Sequence, residues 1–470
     1  MNSSLAALIG LALAIILIIK KISPVYSLII GALAGGLLGC GSVVDTVGFM
    51  FDGVKSITPA VLRIIAAGVL SGSLIKSGAA ASIADTIVRR LGPRFVYLSL
   101  ALATMVLCAV GVFVDVAVIT VAPVALALSS RIELNPARVL LAMIGGGKCG
   151  NIMSPNPNTI VAAENYDAPL SSVMLAGLVP ALIGLLVTVF VVVPLLPARL
   201  VSISSGSSPS NAHATPSGDP ASSSGASATP SGALASSSGA PTALLDAAPT
   251  SGNAEAYIAP KADCFENLPS FGASIIGPLA AIIVLAMRPI CGIVIDPMIA
   301  LPIGGLVTLA ATRSLRAMTE SLDYGLSKMA PVALLLVGTG TLAGVISASD
   351  MKEVVISWLE DWNVGGRLMA PFSSILMAAA TASTTAGATI ASASFADAVL
   401  ETGLAGVWAA SLTNAGATVL DHLPHGSFFH ATAGSVAMPF KQRLMLIPFE
   451  SLVGLTLTIA TLLCSYLPLF

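Results

Sequence analysis

The sequence contains few charged residues. Only 9% of its 470 residues are charged and 5% are aromatic, whereas hydrophobic residues make up 56%. About a quarter of the residues are charged in an ordinary soluble domain, and the mean hydropathy here is +0.94. The composition therefore indicates a multi-spanning membrane protein surrounded by lipid. A net charge of -2, with no basic run, argues against nucleic acid as a partner.

Several motifs of enzymes and cofactor proteins are missing. The six cysteines form no CxxC pair, and the chain contains neither an HExxH zinc motif nor a GxxxxGK[ST] phosphate loop. We therefore expect no cofactor, no catalytic residue and no enzymatic activity. A cleavable signal is missing too, because the apolar run Leu5–Ile19 meets Lys20 and Lys21 with no small-residue cleavage site nearby. This run is interpreted as a retained first span.

Long apolar runs divide the chain into two similar parts, residues 1–200 and 265–470. Residues 201–264 lie between them and are rich in Ser, Ala, Gly and Pro, which predicts a flexible linker. The runs long enough to be spans are Leu5–Ile19, Val25–Val44, Pro59–Ile75, Leu170–Leu196, Ser274–Met287, Ile290–Ala311, Met329–Ile346 and Leu444–Leu467. Two other segments, Ala79–Arg90 and Met351–Trp362, have the pattern of amphipathic helices at the membrane surface.

One long apolar segment in each part has a polar centre. Phe95–Ser130 contains a single charge, Asp115, and as one straight helix it would be about 54 Å long, well beyond a core of about 30 Å. It is expected to turn near Gly111–Asp115 as a re-entrant hairpin; two full spans with a tight loop is the alternative. Leu368–Ala396, with its polar centre Thr381–Thr389, is the corresponding hairpin.

Two further segments carry residues that stop helices. Gly145–Thr159 contains three consecutive glycines, two prolines and a lysine, and Thr413–Gly426 is the second such segment. Both predict a helix interrupted inside the membrane, since glycine and proline leave backbone groups unpaired. In a bilayer such backbone occurs only where protein buries it or where it lines a watery cavity.

The two parts also share residues at a fixed distance. Pro59, Gly68, Gly72 and Ser77 recur 272 positions later as Pro331, Gly340, Gly344 and Ser349. Five spans plus one hairpin in each part would invert the second relative to the first. The sequence therefore predicts an all-α integral membrane protein of two inverted repeats, each with about five spanning helices, a re-entrant hairpin and a broken helix.

Most positive charges fall on one predicted side, which the positive-inside rule makes cytoplasmic. Both termini are then expected in the periplasm and the linker in the cytoplasm. These charges are Lys20, Lys21, Arg89, Arg90, Arg94, Arg131, Arg138, Arg199, Arg313, Arg316, Lys441 and Arg443. Glu164 and Asp167 lie near the outer end of a span and are expected to be solvated.

The hairpin tips and helix breaks are the candidate binding site. Helix N-termini attract anions, and hydroxyl and amide side chains bind hydroxyl groups of a substrate. The candidate substrate-binding residues are Lys148, Asn151, Ser154, Asn156, Asn158, Thr159, Ser383, Thr384, Thr385, Thr413 and Asn414. Lys148 is the cation placed to meet a carboxylate. Alternatively, these side chains only cap broken backbone, and Lys148 binds orphan carbonyls.

The candidate proton-coupling residues are Asp115, Asp421, His422 and His425. Histidine titrates near neutral pH and is tuned by a neighbouring carboxylate; Asp115 could instead cap a helix start. We expect the first break to hold an anion and the second to handle the proton. A zinc site built from His422, His425, His430 and Asp421 is a weaker alternative, because H-x-x-H across a proline does not place both rings on one helical face.

The segments Gly150–Thr159, Thr384–Thr389 and Asp421–His430 resemble the GntP family of gluconate:proton symporters, within the ion-transporter superfamily. The resemblance covers about 400 residues on both sides of the linker. It implies proton-coupled uptake of a sugar acid or short hydroxy acid through the inner membrane. It also implies a homodimer whose transport domain moves like an elevator against a fixed scaffold. A sodium-coupled carboxylate carrier and a metal-dependent membrane enzyme are the alternatives.

Overall fold

The described part of the protein is built from helices joined by short connections. The computed structural model describes residues 3–129, 134–197, 268–291, 293, 295–350, 365–424 and 426–467. Within these ranges there is no strand, which confirms the all-α prediction. The linker 201–264, the amphipathic segment Met351–Trp362 and His425 lie outside the described residues.

The first part of the chain contains nine helices within its described residues. They are α1 (Ser3–Ile19), α2 (Pro24–Cys40), α3 (Val43–Lys76), α4 (Ala79–Leu91), α5 (Val96–Ala109), α6 (Val114–Ser129), α7 (Pro136–Asn151), α8 (Pro157–Asn165) and α9 (Leu170–Val187). Helix α9 continues through a π-helical turn, Thr188–Val192, to Leu195. The bounds of α4 agree with a helix at Ala79–Arg90, and its apolar residues Ile83 and Val88 are buried within the protein.

The second part has the corresponding helices. They are α10 (Phe271–Cys291), α11 (Pro297–Ala311), α12 (Met318–Ser347), α13 (Gly366–Thr381), α14 (Thr384–Glu401), α15 (Gly406–Ala417), α16 (Ser427–Ser435), α17 (Phe440–Leu444) and α18 (Ile447–Cys464). Five helices recur at a spacing of 270 residues, since each of α5–α9 begins 270 residues before its counterpart in α13–α17. For example, α5 begins at residue 96 and α13 at residue 366, and α9 begins at residue 170 and α17 at residue 440. The order of these five helices is therefore the same in both parts.

Four stretches of helix within the described ranges are long and apolar enough to cross a bilayer: Val43–Lys76, Leu170–Leu195, Leu315–Ser347 and Phe440–Cys464. The first and third are longer than the predicted spans Pro59–Ile75 and Met329–Ile346. Their first turns carry charges such as Asp45 and Glu320, which end an apolar run in the sequence without ending the helix.

Helices α3 and α12 pack closely along each other through glycines. A β-carbon at Gly53 would overlap the Gly340 carbonyl oxygen, and one at Gly325 would overlap the Gly68 carbonyl oxygen. These two contacts correspond to each other, because Gly325 lies 272 positions after Gly53 and Gly340 lies 272 positions after Gly68. The glycines of the sequence repeat therefore form the crossing of the two long helices.

The first helix break is shorter than predicted. Helix α7 runs through Gly145, Gly146, Gly147 and Lys148 to Asn151, and only residues 152–156 interrupt it before α8. The expectation that the three glycines stop the helix is wrong. Gly146 faces α5, where a β-carbon would overlap the Ala101 carbonyl oxygen, so the glycines permit close packing.

The other interruptions lie near their predicted positions. Helix α15 includes Thr413 and Asn414, and its break spans residues 418–426. The first hairpin turns between Ala109 and Val114, where Gly111 has φ +98°, a left-handed conformation that glycine adopts without strain. The second hairpin turns at residues 382–383.

Apart from α4, which contacts members of both, the helices pack in two groups. The long-helix group, α1–α3 with α10–α12, is organised around the α3–α12 crossing. The broken-helix group, α5–α9 with α13–α18, contains both hairpins and both breaks, and in it each hairpin packs on the broken helix of its own part. The groups meet where α3 packs on α8 and α12 packs on α14. Every candidate residue that the structure describes lies in the broken-helix group.

Candidate functional site

Three candidate binding residues act as caps at the first break and at the second hairpin tip. Asn156 is the N-cap of α8: its Oδ1 accepts from the Thr159 amide at 3.0 Å, and its Nδ2 donates to the Asn151 carbonyl at 2.7 Å. The Ser154 hydroxyl also donates to the Asn151 carbonyl. Ser383 is the N-cap of α14 and accepts from the Ala386 amide at 3.3 Å. The alternative interpretation, in which the candidate side chains cap broken backbone, therefore holds for these residues.

Other candidate residues connect helices. The Thr385 hydroxyl donates to Asn158 Oδ1 at 2.6 Å, which joins the N-termini of α14 and α8. Asn414 Nδ2 donates to the Thr159 hydroxyl at 3.0 Å and so joins α15 to α8. Asn414 Oδ1 is buried and has no hydrogen-bond partner among the described residues. The structure therefore brings the first break together with the second hairpin and α15.

Lys148 lies on α7, one turn before the first break, and is 1% exposed. Its Nζ donates to the Thr418 carbonyl at 2.6 Å and to Asp421 Oδ1 at 2.6 Å, and it lies 3.0 Å from His422 Nδ1. All these partners belong to the second break. The two breaks therefore share one buried cluster, which we call the Lys148 cluster: Lys148, Asp421 and His422.

The hydrogen-bond partners indicate which atoms of the Lys148 cluster carry protons. His422 Nε2 lies 3.0 Å from the Ile447 carbonyl, which can only accept, so this nitrogen carries a proton. In the neutral ring, Nδ1 is then an acceptor for Lys148. The three protons of the ammonium group have three acceptors, and with an ionised Asp421 the cluster has no net charge. A second proton on His422 would sit on Nδ1, 3.0 Å from Asp421 Oδ1.

The cluster is joined to the second hairpin tip. The Thr384 hydroxyl, in the first turn of α14, donates to Asp421 Oδ2 at 2.5 Å. Asp421 thus binds Lys148 through one oxygen and the start of α14 through the other. The carboxylate of Asp421 is thus one hydrogen bond away from the N-terminus of α14.

Three residues at this site were not predicted. The Tyr166 hydroxyl lies 2.9 Å from the Thr413 hydroxyl, beside the Asn414 contact. Arg443 and Glu450 form an ion pair with both side chains fully buried. Arg443 had been counted with the cytoplasmic charges. Glu450 is a carboxylate inside the apolar run Leu444–Leu467, and Arg443 directly precedes that run, which is a signal that the sequence offers.

A cavity of about 260 Å³ lies beside α8, between the two groups of helices. It is lined by Arg63, Ile160, Glu164, Asp296 and other residues. Arg63 pairs with Glu164, and its Nη2 lies 2.8 Å from Asp296 Oδ2. The expectation that Glu164 is simply solvated is therefore wrong. The cavity is lined by Ile160 but not by Thr159 or Asn414.

The remaining candidates lie outside the Lys148 cluster. Asp115 is in the first turn of α6 and belongs to none of the ion pairs of the described residues. His430 is exposed and donates to the Pro424 carbonyl at 2.9 Å. No group of three His, Cys, Asp or Glu side chains in the described ranges is placed to hold a metal ion. The described geometry thus gives no support to the zinc alternative.

Comparison with known proteins identifies the family. Residues 3–224 match the model of the GntP family permeases, and residues 272–362 match that of a Na+-H+ antiporter family. An uncharacterized transporter of Haemophilus influenzae is 48% identical over 461 residues, which are 98% of this chain and 97% of that protein. A high-affinity gluconate transporter of Escherichia coli is 25% identical over 171 residues, which are 36% of this chain and 38% of that one.

The fold resembles that of a solved transporter. The YdaH transporter of Alcanivorax borkumensis matches with a TM-score of 0.58 over 92% of this chain and 89% of that one, at 14% identity. The sequence matches and the helical fold agree that this is a multi-pass membrane transporter and not an enzyme. The chain belongs to the GntP family of permeases.

Proposed function

We propose that this transporter takes up a small hydroxylated carboxylate, a sugar acid such as gluconate or a shorter hydroxy acid, together with protons. The observation that carries the proposal is the Lys148 cluster, which is buried, contains a titratable imidazole and is bonded through Thr384 to the N-terminus of α14. Similarity to a gluconate transporter over 36% of the chain supports the substrate class.

The carboxylate of the substrate would bind where α8 and α14 begin. Both N-termini carry positive potential, with one amide in each already capped by Asn156 or Ser383, and the Asn158–Thr385 hydrogen bond holds them together. The buried Asn414 Oδ1 has no partner among the described residues, and it offers an acceptor to a substrate hydroxyl. The Thr159 hydroxyl contacts the amide nitrogen of the same side chain, and Thr413, the preceding residue of α15, contacts Tyr166.

Proton and anion would be coupled by charge. The Lys148 cluster is neutral when His422 is neutral and gains one positive charge when His422 binds a proton. That charge favours a carboxylate at the start of α14, and the carboxylate in turn favours the protonated ring. In this proposal Lys148 acts through Asp421, while Asp115 and His425 are further candidates for carrying protons.

Alternating access would come from movement of the broken-helix group against the long-helix group, as in an elevator. The matching helix order of the two parts and the reciprocal glycine contacts of α3 and α12 support an inverted repeat. We further propose an inner-membrane homodimer with both termini in the periplasm. Residues 201–264 would form a flexible cytoplasmic linker.

Transport into proteoliposomes tests the proposal. Uptake of radiolabelled gluconate, glycerate, hydroxybutyrate and dicarboxylates is measured under an imposed proton gradient, with empty liposomes as the control. We expect a hydroxylated monocarboxylate to accumulate only when the gradient is present. If accumulation of the substrate is independent of the proton gradient but requires a sodium gradient, proton coupling is rejected. Such a result would favour the sodium-coupled alternative, which the match of residues 272–362 to a Na+-H+ antiporter family supports.

A further inference from the structure

Arg443 and Glu450 form a second buried charged group next to the Lys148 cluster. Arg443 Nη1 and Nη2 both donate to the Glu450 carboxylate, the latter at 3.1 Å, and both side chains are fully buried. Arg443 also donates to the Phe429 carbonyl and to the Thr432 hydroxyl, each at 3.3 Å. A buried ion pair is often no more stable than apolar residues of the same volume. Packing alone therefore does not account for this pair.

The first turn of α18 surrounds the imidazole of His422. The Ile447 carbonyl and the Ser451 hydroxyl lie 3.0 Å and 3.2 Å from Nε2. Glu450 Oε2 lies 4.0 Å from Nδ1, the nitrogen that contacts both Lys148 and Asp421. One helical turn thus fixes the orientation of the ring and places a carboxylate beside the nitrogen that would bind the second proton.

We propose that Glu450, held in place by Arg443, is a positioning residue that sets the pH at which His422 takes up its proton. This inference rests on the proposed proton symport. The carboxylate of Glu450 stabilises the imidazolium form, and the guanidinium of Arg443, which lies behind it, partly cancels that effect. The pH dependence of transport would then follow the charge balance of the Arg443–Glu450 pair.

The other charged groups near His422 are Lys148 from α7 and Asp421 from its own segment. On the packed helices α13 and α14, the charged residues Arg367, Asp397 and Glu401 lie at the ends remote from the residue 382–383 turn. His430 is exposed and bonded to Pro424. His425 lies outside the described residues. Glu450 is thus the carboxylate from a different helix that faces the ring.

Three variants test the inference: Glu450→Gln, Arg443→Gln and the double variant. Substrate exchange in proteoliposomes is measured as a function of pH, with the same pH on both sides. Glu450→Gln should move the half-maximal pH to more acidic values by about one unit, because protonated His422 loses a stabilising anion. Arg443→Gln should move it in the alkaline direction. The double variant should show a smaller acidic shift, since Glu450 is the nearer charge.

The double variant keeps the test decisive if the single variants fail to fold, because it leaves no unpaired charge. An unchanged half-maximal pH in every folded variant would mean that the pair is only structural and would overturn the inference. His422→Gln separates the two proposals. If exchange by this variant keeps the original pH dependence, His422 does not carry the proton and the proposed function fails. If His422→Gln abolishes the pH dependence while the Glu450 and Arg443 variants leave it unchanged, the proposed role of Glu450 is rejected and the proposed function is not.

Discussion

Lys148 has three hydrogen-bond acceptors within 3.0 Å, one for each proton of its ammonium group. A substrate carboxylate cannot bind this nitrogen without displacing one of them. Lys148 therefore serves the proposed mechanism by fixing Asp421 and His422, and the helix N-termini are left to bind the anion. In the proposed function the two breaks therefore share one cluster that handles the proton, and the anion binds at the N-termini of α8 and α14.

Replacing Lys148 by Met should abolish uptake and lower stability. Asp421 is 5% exposed, and loss of its cation leaves a buried, unpaired carboxylate, which costs about 3–5 kcal/mol. The double variant Lys148→Met/Asp421→Asn removes both charges and should recover most of that stability without recovering transport. Thermal unfolding in detergent and uptake into proteoliposomes measure the two effects. Equal melting temperatures for the single and double variants would contradict the buried ion pair.

The sequence predicted the residue types of this site better than their pairings. Polar residues in helix breaks are conspicuous in an apolar chain, and Asn156, Thr385 and Asp421 were found in this way. The contact of Lys148 with Asp421 joins residues 273 positions apart, which no local pattern encodes. Glu450 was missed because it lies in the first turn of a regular helix, where a carboxylate is ordinary.

At the scale of helices, α7 shows how packing overrides local propensity. Three consecutive glycines would weaken a solvated helix by roughly 1 kcal/mol each. In α7 they allow close approach to α5 and α9, and Gly145 faces the Thr188 side chain. Between membrane helices small residues favour association. A helix-breaking pattern in the sequence therefore becomes a helix-packing surface, and only Pro155 and Pro157 with their neighbours interrupt the chain.

Gly146→Ala should disrupt the packing of α7 on α5. The added methyl group would overlap the backbone oxygen of Ala101, and backbone cannot yield as a flexible side chain does. We expect a destabilisation of about 1–3 kcal/mol, visible as a lower melting temperature in detergent. Gly48→Ala in α3 is the matched control, because nothing lies within 4 Å of the added atom. Alanine favours a helix more than glycine does, so Gly48→Ala should not lower the melting temperature. A fall of equal size in both variants would contradict the contact with Ala101 as the cause.

At the scale of the whole molecule, the two helix groups are joined by an ion pair. Arg63 of α3 pairs with Glu164 of α8 across the boundary, and with Asp296 of α11 inside its own group. The positions that correspond to Arg63 and Glu164 in the second part of the chain are Leu335 and Gly434, 272 and 270 residues later. The repeat therefore supplies no second pair that could replace this one in the proposed movement of the groups.

Glu164→Gln should therefore speed transport if the broken-helix group slides against the long-helix group. A partly exposed pair is worth up to about 1 kcal/mol, so its loss should raise the maximal uptake rate by up to about fivefold. Asp296→Asn is the matched control, since it also removes one partner of Arg63 while the amide can still cap α11 at the Met298 amide. We expect it to leave the uptake rate unchanged. If both variants change the rate alike, the loss of a charge near Arg63 is responsible, and the ion pair does not restrain movement between the groups.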